Sequence, residues 1–131
     1  MAPDSSSEWD WAERWDQMFD VLSAEPRREV IGSLLEEPPE RRLPLPDAAA
    51  SPNQQTDRET LRVQLHHHHL PKLADAGYVV WGREPFEVWR GPHFEEPALI
   101  VGSVFDSVDE IPRSLVDNCK VIGGTRGDDA Q

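Results

Sequence analysis

At 131 residues, of which 37% are hydrophobic, the chain holds one domain with a modest core and has no room for a second. Acidic residues outnumber basic ones 25 to 13, for a net charge of -12, and Lys72 and Lys120 are the only lysines. The single cysteine, Cys119, excludes an internal disulfide and a cysteine-rich zinc site, and the longest apolar run, Ala98 to Val101, is far short of the roughly 20 residues a membrane span needs.

The charge is unevenly placed. Residues 26–92 carry nine basic and ten acidic groups, whereas 1–25 and 94–131 together carry four basic and fifteen acidic. Acidity with few lysines suits hydration in concentrated salt and reads as a haloarchaeal protein. The opening MAPDSSSEWD has neither the positive start nor the apolar core of a secretory signal, so a cytoplasmic location with no membrane partner is expected.

Residues 1–8 read as a disordered polar tail. Trp11, Trp15, Met18, Phe19 and Leu22 then recur at helical spacing and predict an amphipathic first helix. Ser23 is the expected N-cap of a second helix, with Pro26 in its first turn and Val30, Ile31, Leu34 and Leu35 as its buried stripe; Pro38 and Pro39 end it. The segment LPLPDAAASPNQQ is broken by prolines and leaves room for one short helix near Asp47 to Ala50. Thr56-Asp57-Arg58-Glu59 matches a capping box, which predicts a long helix from Asp57 to Ala76 with Gly77 as its stop. Two β-rich runs, YVVWG (78–82) and FEVWR (86–90), joined by Arg83, Glu84 and Pro85, predict a hairpin lying against the helices. A final helix is expected over Glu95 to Phe105. The chain after Asp106 is expected to be irregular and its end, GGTRGDDAQ, disordered. The fold class is therefore mostly α with a β-hairpin wing and extra N- and C-terminal helices. The domain is placed at 9–106 and a flexible acidic tail at 107–131.

The run HLPKLADAGYVVW (69–81) resembles the end of the recognition helix and the first wing strand of arsenical-repressor-like winged helix-turn-helix regulators. Together with Leu22-Ser23 and Pro26-Arg27-Arg28, it also resembles a group of small haloarchaeal winged-helix domains of unassigned function. The resemblance covers about residues 14–92 and implies a transcription-regulator fold that binds double-stranded DNA.

The four consecutive histidines, His66 to His69, lie inside the long helical pattern, so a purification tag is set aside. On a regular helix Val63, His66, Leu70, Leu73 and Gly77 share one face, and Arg58, Leu61, Gln64, Leu65, His68, Lys72 and Asp75 share the other. His66 and His69 read as partly buried with hydrogen-bonded nitrogens. Their neighbours one turn away are not metal ligands, so neither a metal nor another cofactor is expected. If the helix docks as the resemblance implies, Arg58, Arg62, Gln64, His67, His68 and Lys72 face the groove and Arg83 makes the wing contact. Gln64 then suits adenine and an arginine suits guanine. Leu61 and Leu65 fall among these residues. The first helix or a second subunit covers them, or Pro71, which lacks the N–H owed to the carbonyl of His67, alters the helix near 67–71.

No Gly-rich phosphate loop or spaced catalytic carboxylates are present, so no enzymatic activity is expected. The leading reading is a DNA-binding regulator acting as a homodimer through Trp11, Trp15, Leu99, Ile100 and Phe105, an apolar surplus of the kind that marks association. The alternative is a winged-helix protein-interaction module without DNA binding.

Overall fold

The computed structural model describes residues 3–51 and 56–116. The first helix, α1 (Pro3–Val21), starts well before Trp9, so the segment read as a tail is largely helical. Its apolar stripe divides along its length. Met18, Val21 and the following Leu22 are buried and Trp15 is half-buried, while Trp11 and Phe19 stand 65% and 58% exposed. Only the last turns of α1 reach the core. An edge contact between Trp11 and Trp15 and stacking of Trp15 on Phe19 hold the aromatic strip together.

The second helix, α2 (Glu25–Leu35), has Pro26 in its first turn as its sequence requires, but Ser23 is not its cap. Ala24 takes that position without a side-chain bond, and the Ser23 hydroxyl donates to the carbonyl of Asp20 at 2.6 Å. The reason is the preceding helix, whose last carbonyls have no partner of their own. Arg27 Nε donates to the carbonyl of Val21 at 2.6 Å and Arg28 Nη1 to that of Leu22 at 2.8 Å. Two cations thus close the negative pole of α1. Arg27 is buried, and its Nη1 reaches on to His69 Nδ1 at 3.0 Å. Arg90 closes α2 in the same way, with Nη2 donating to the carbonyls of Leu34 at 3.0 Å and Glu37 at 2.9 Å.

A two-residue strand, β1 (Leu43–Pro44), leads into a 3-10 turn over Asp47–Ala49, where a short helix is expected. Ala48 and Ala49 are buried, and the Ser33 hydroxyl donates to the Ala48 carbonyl at 2.8 Å. Small side chains let this turn lie close on α2 in place of a large apolar anchor.

The long helix forms in three parts: α3 (Arg58–Gln64), a π turn (Leu65–His69) and α4 (Leu70–Asp75). Gly77, at φ +83°, stops it. Tyr78 N–H donates to the Leu73 carbonyl and Gly77 N–H to that of Ala74, the paired closure that a left-handed glycine permits. A Cβ at Gly77 would also lie 2.7 Å from His93 Cδ2.

The hairpin follows as β2 (Val79–Arg83) and β3 (Phe86–Arg90), with Trp81 opposite Val88 and Arg83 opposite Phe86. β1 pairs with the other edge of β3, giving the order β1-β3-β2. Val79, Phe86 and Val88 are buried on one face, and Glu87 and Trp89 take the other by strand alternation. The last long helix, α5 (Glu95–Asp106), buries Pro97 and Val101. Beyond it, where irregular chain is expected, a 3-10 turn over Val108–Glu110 buries Val108, and a four-residue helix, α6 (Arg113–Val116), follows. The GGTRGDDAQ segment and Cys119 lie outside the described residues.

The architecture is winged-helix-like: mostly helical, with a small antiparallel sheet whose β2–β3 hairpin is the wing, and with α1 and α5 added at the ends. Among the described residues, no helix is long and apolar enough to cross a membrane.

Replacing Arg27 with alanine removes a buried cation together with its bonds to the Val21 carbonyl, His69 Nδ1 and, at 3.5 Å, the Ser23 hydroxyl, and is expected to lower the unfolding free energy by on the order of 3 kcal/mol. Arg27→Lys should recover only part of this, because an ammonium lacks the planar fork. Urea denaturation at constant m-value measures both. A loss below about 0.5 kcal/mol, the range of neutral surface changes, would show that these bonds do not hold α1 to the domain.

Candidate nucleic-acid interface

The N-terminus of α3 is capped by Asp57, one residue later than the predicted Thr56: its Oδ1 accepts from Thr60 N–H at 2.7 Å. That bond holds the Asp57 carboxyl below its ordinary pKa. From there the helix buries Leu61 and Leu65, which are 3% and 0% exposed, and leaves Val63 48% exposed. Both assignments reverse the regular-helix expectation, and the π turn explains why. The N–H of Leu70 donates to the carbonyl of Leu65, five residues back, so the turn carries one more residue than an α-turn. Continuing the Leu70–Leu73 face backwards through it shifts the phase by about 100°. The wider turn also accommodates Pro71, whose ring would crowd the carbonyl four residues earlier in a regular helix.

The same turn sends the four histidines to separate surroundings. His66 stacks on Phe86 at 4.2 Å between ring centroids and meets Trp81 edge-on at 5.5 Å. Burial, then the charges of Arg62 and Arg83, lower its pKa. His69 points inward, 7% exposed, and accepts from Arg27. Since a guanidinium only donates, Nδ1 must be unprotonated and the ring proton sits on Nε2. Burial and then Arg27 lower the His69 pKa to about 4. His67 and His68 are exposed, and the His68 ring lies 5.0 Å from that of His69.

The other candidate residues divide. Gln64 is exposed on the outer face beside His67, and Thr60 lies one turn before it. Arg62 lies over Phe86 at 4.7 Å and Arg83 over Trp81 at 4.8 Å, so a seam of two arginines, His66 and two aromatic rings joins the helix to the wing. Arg58 turns to the 3-10 turn and pairs with Asp47 at 2.6 Å. Lys72 pairs with Asp20 of α1 at 2.7 Å, which depresses the Asp20 pKa, so it faces α1 and is separated from the wing seam. Two further residues reach these surfaces. Val63, which a regular helix would put on the core face, is exposed. Arg42, which lies 3.7 Å over the Trp89 ring and bonds Glu87 at 3.3 Å, flanks an outer sheet face that the alternation of Phe86 to Arg90 could have indicated.

Away from this surface, α1 and α5 enclose an open cleft of about 450 Å³ lined by Asp10, Trp11, Arg14, Trp15, Met18, Glu96 and Leu99. Leu99 is 58% exposed, and Ile100 and Phe105 are half-buried. His93, Glu95 and Glu96 bring ligand atoms within 4.8 Å of one another, but Arg14 already ion-pairs with Glu96. His66 and His69 share no site, each being held by a different partner.

Residues 19–88 match the profile of a family described as a domain of unknown function, DUF7344. The chain belongs to this family. The matched DUF7344 segment runs from the end of α1 to the middle of β3, so it contains Arg27, the π turn and the helix–wing seam, and leaves out α5. No curated protein and no solved structure matches the chain.

Because the folded DUF7344 domain depresses the His69 pKa from 6.5 to about 4, it favours the neutral ring. Its stabilising effect is therefore full above about pH 6.5 and is lost as pH falls through about 4; the window is worth on the order of 3 kcal/mol. His66, shifted in the same direction, adds to the loss. Urea midpoints should fall on acidification across this window and fall less for His69→Gln, which stays neutral. Equal slopes for the variant and the wild type would assign the loss to other groups.

Proposed function

We propose that this DUF7344 protein is a DNA-binding transcriptional regulator without enzymatic activity, acting in the cytoplasm as a homodimer. The observation that carries the reading is the outer face of α3 and the π turn. Its leucines point inward, and Thr60, Gln64 and His67 are left exposed beside the Arg62–His66–Arg83 seam. Hydrogen-bonding side chains on an exposed helix, next to a hairpin carrying an arginine, suit a major groove read by the helix and a backbone met by the wing.

Within this reading Arg62, Gln64 and His67 address the bases, and Arg83 the wing contact. His68 borders the same surface. Arg58 and Lys72 reach phosphate only by exchanging their present partners, Asp47 and Asp20, and so contribute less. An exposed Leu61/Leu65 strip would favour the protein-interaction alternative; with both leucines buried, its support is the acidic flanks and the α1–α5 cleft. That cleft, lined by Trp11, Trp15 and Leu99, is where a second copy would pack; Ile100 and Phe105 do not line it and, being half-buried, would add less. Exposed Glu13 and Asp16 on α1 would repel their counterparts, so the dimer should tighten as salt screens them.

On the best duplex selected from a random pool, Gln64→Ala or Arg62→Ala should cost about 1 to 3 kcal/mol at one base pair and relax specificity there. Asp128→Asn in the acidic tail should change nothing measurable. If the helix variants leave DNA binding untouched but abolish capture of a co-purifying protein, the interaction-module reading replaces this one. Light scattering should give a mass above the 14.9 kDa monomer in molar salt, and more dimer there than in dilute buffer. A monomer at every concentration and salt would remove the dimer.

A further inference from the structure

Val63 is the only large apolar side chain exposed on the helix from Arg58 to Asp75; Leu61, Leu65, Leu70 and Leu73 are all buried. It stands at the centre of the outer face, with Glu59 and Thr60 exposed one turn before it and Gln64 and His67 exposed beside and after it. A β-branched residue is a poor choice for a solvated helix position on propensity grounds, and this one lies outside the buried core. Every side chain around it can donate or accept a hydrogen bond, and Val63 alone cannot.

We infer that Val63 reads a thymine C5-methyl group in the major groove, which makes the preferred DNA of this protein a duplex with a thymine at a fixed position of the half-site. The inference rests on the DNA-binding reading above and deepens it. Base edges in the major groove present donors, acceptors and one apolar feature, the methyl of thymine. An isolated apolar side chain set among hydrogen-bonding ones matches that combination. Gln64, the next residue, carries the amide that pairs with adenine, so the two neighbours together favour an A·T-containing step. The face is also sterically open on one side: His66 is stacked on Phe86, which draws it towards the wing.

The test uses the full chain and a randomised duplex pool. Bound duplexes are enriched and sequenced, and each enriched thymine is replaced in turn by deoxyuridine, which removes the methyl and nothing else. At one thymine per half-site, deoxyuridine should weaken wild-type binding by about fourfold, the size expected for one buried methyl group. Val63→Ala, an exposed change to a better helix former, should bind thymine and deoxyuridine equally at that position and leave other positions unaffected. At the same position a 5-methylcytosine·guanine pair should bind the wild type more tightly than a cytosine·guanine pair, and Val63→Ala should not distinguish the two. An enriched duplex without thymine, no deoxyuridine effect at any position, or full discrimination by Val63→Ala would overturn the inference while DNA binding stands. A pool that yields no enriched duplex would overturn the DNA-binding reading along with it.

Discussion

Arg27 is placed where three segments must meet at fixed angles, and its guanidinium fixes them. Nε takes the last-turn carbonyl of α1, Nη2 lies 3.5 Å from the Ser23 hydroxyl in the connecting turn, and Nη1 takes His69 in the π turn. Because the fork is planar and its donors are rigidly spaced, the three acceptors cannot shift independently. These bonding partners are uncharged, and the carbonyl at a helix C-terminus supplies the partial negative charge that a buried cation needs. This arrangement requires His69 to be neutral. A protonated ring would place two cations 3.0 Å apart with no acceptor between them. The docking of α1 and the phase of the long helix are thereby coupled through one side chain.

That phase is what the candidate surface depends on. Were the helix regular throughout, Leu70 and Leu73 would align with His66 and Val63, and the two leucines at 61 and 65 would face solvent. The π turn inserts its extra residue between the two halves, so that Leu61 and Leu65 complete the core on one side and Leu70 and Leu73 on the other. Pro71 provides the local reason, since it has no N–H to give and its ring excludes the tighter turn. Arg27 provides the tertiary one, holding His69 inward at the end of the widened segment.

Sequence alone made legible what is local. The prolines that close α2, the glycine stop at Gly77, the strands of the hairpin and the helix α5 each carry their signal within a few residues. The disturbance at Pro71 was legible too, but not its direction, because a kink and an added residue rotate the upstream face differently. The caps were misplaced by competition. Ser23 serves the helix behind it, and Asp57 outranks Thr56 by one position. What could not be read was long-range. Arg27 meets a residue 42 positions away and Arg90 one 56 positions away, and β1 exists only because β3 offers it an edge. At the candidate site, the exposure of Gln64 and His67 follows from the winged-helix resemblance, whereas that of Val63 requires the π turn, and the ion pairs of Arg58 and Lys72 require their partners.

If this acidic chain contacts DNA as proposed, net charge cannot be the basis, and the seam offers a different one. At molar salt the screening length falls to about 3 Å, so only groups in contact still interact appreciably. Counterion release then contributes little, and close-range hydrogen bonds and excluded water dominate. Under that constraint the cost of ordering long side chains matters more than their charge. Arg62 and Arg83 lie over Phe86 and Trp81, so each guanidinium is positioned by a ring face. Stacking of this kind leaves the N–H edges outward for an acceptor. A pre-positioned arginine gives up less rotamer freedom on binding, which otherwise costs about 0.5 to 1.5 kcal/mol per side chain. On the proposed reading, the aromatic pair and His66 would do for these two cations what a basic patch does for a DNA-binding protein in dilute salt: hold charge at the surface where a phosphate or base would meet it.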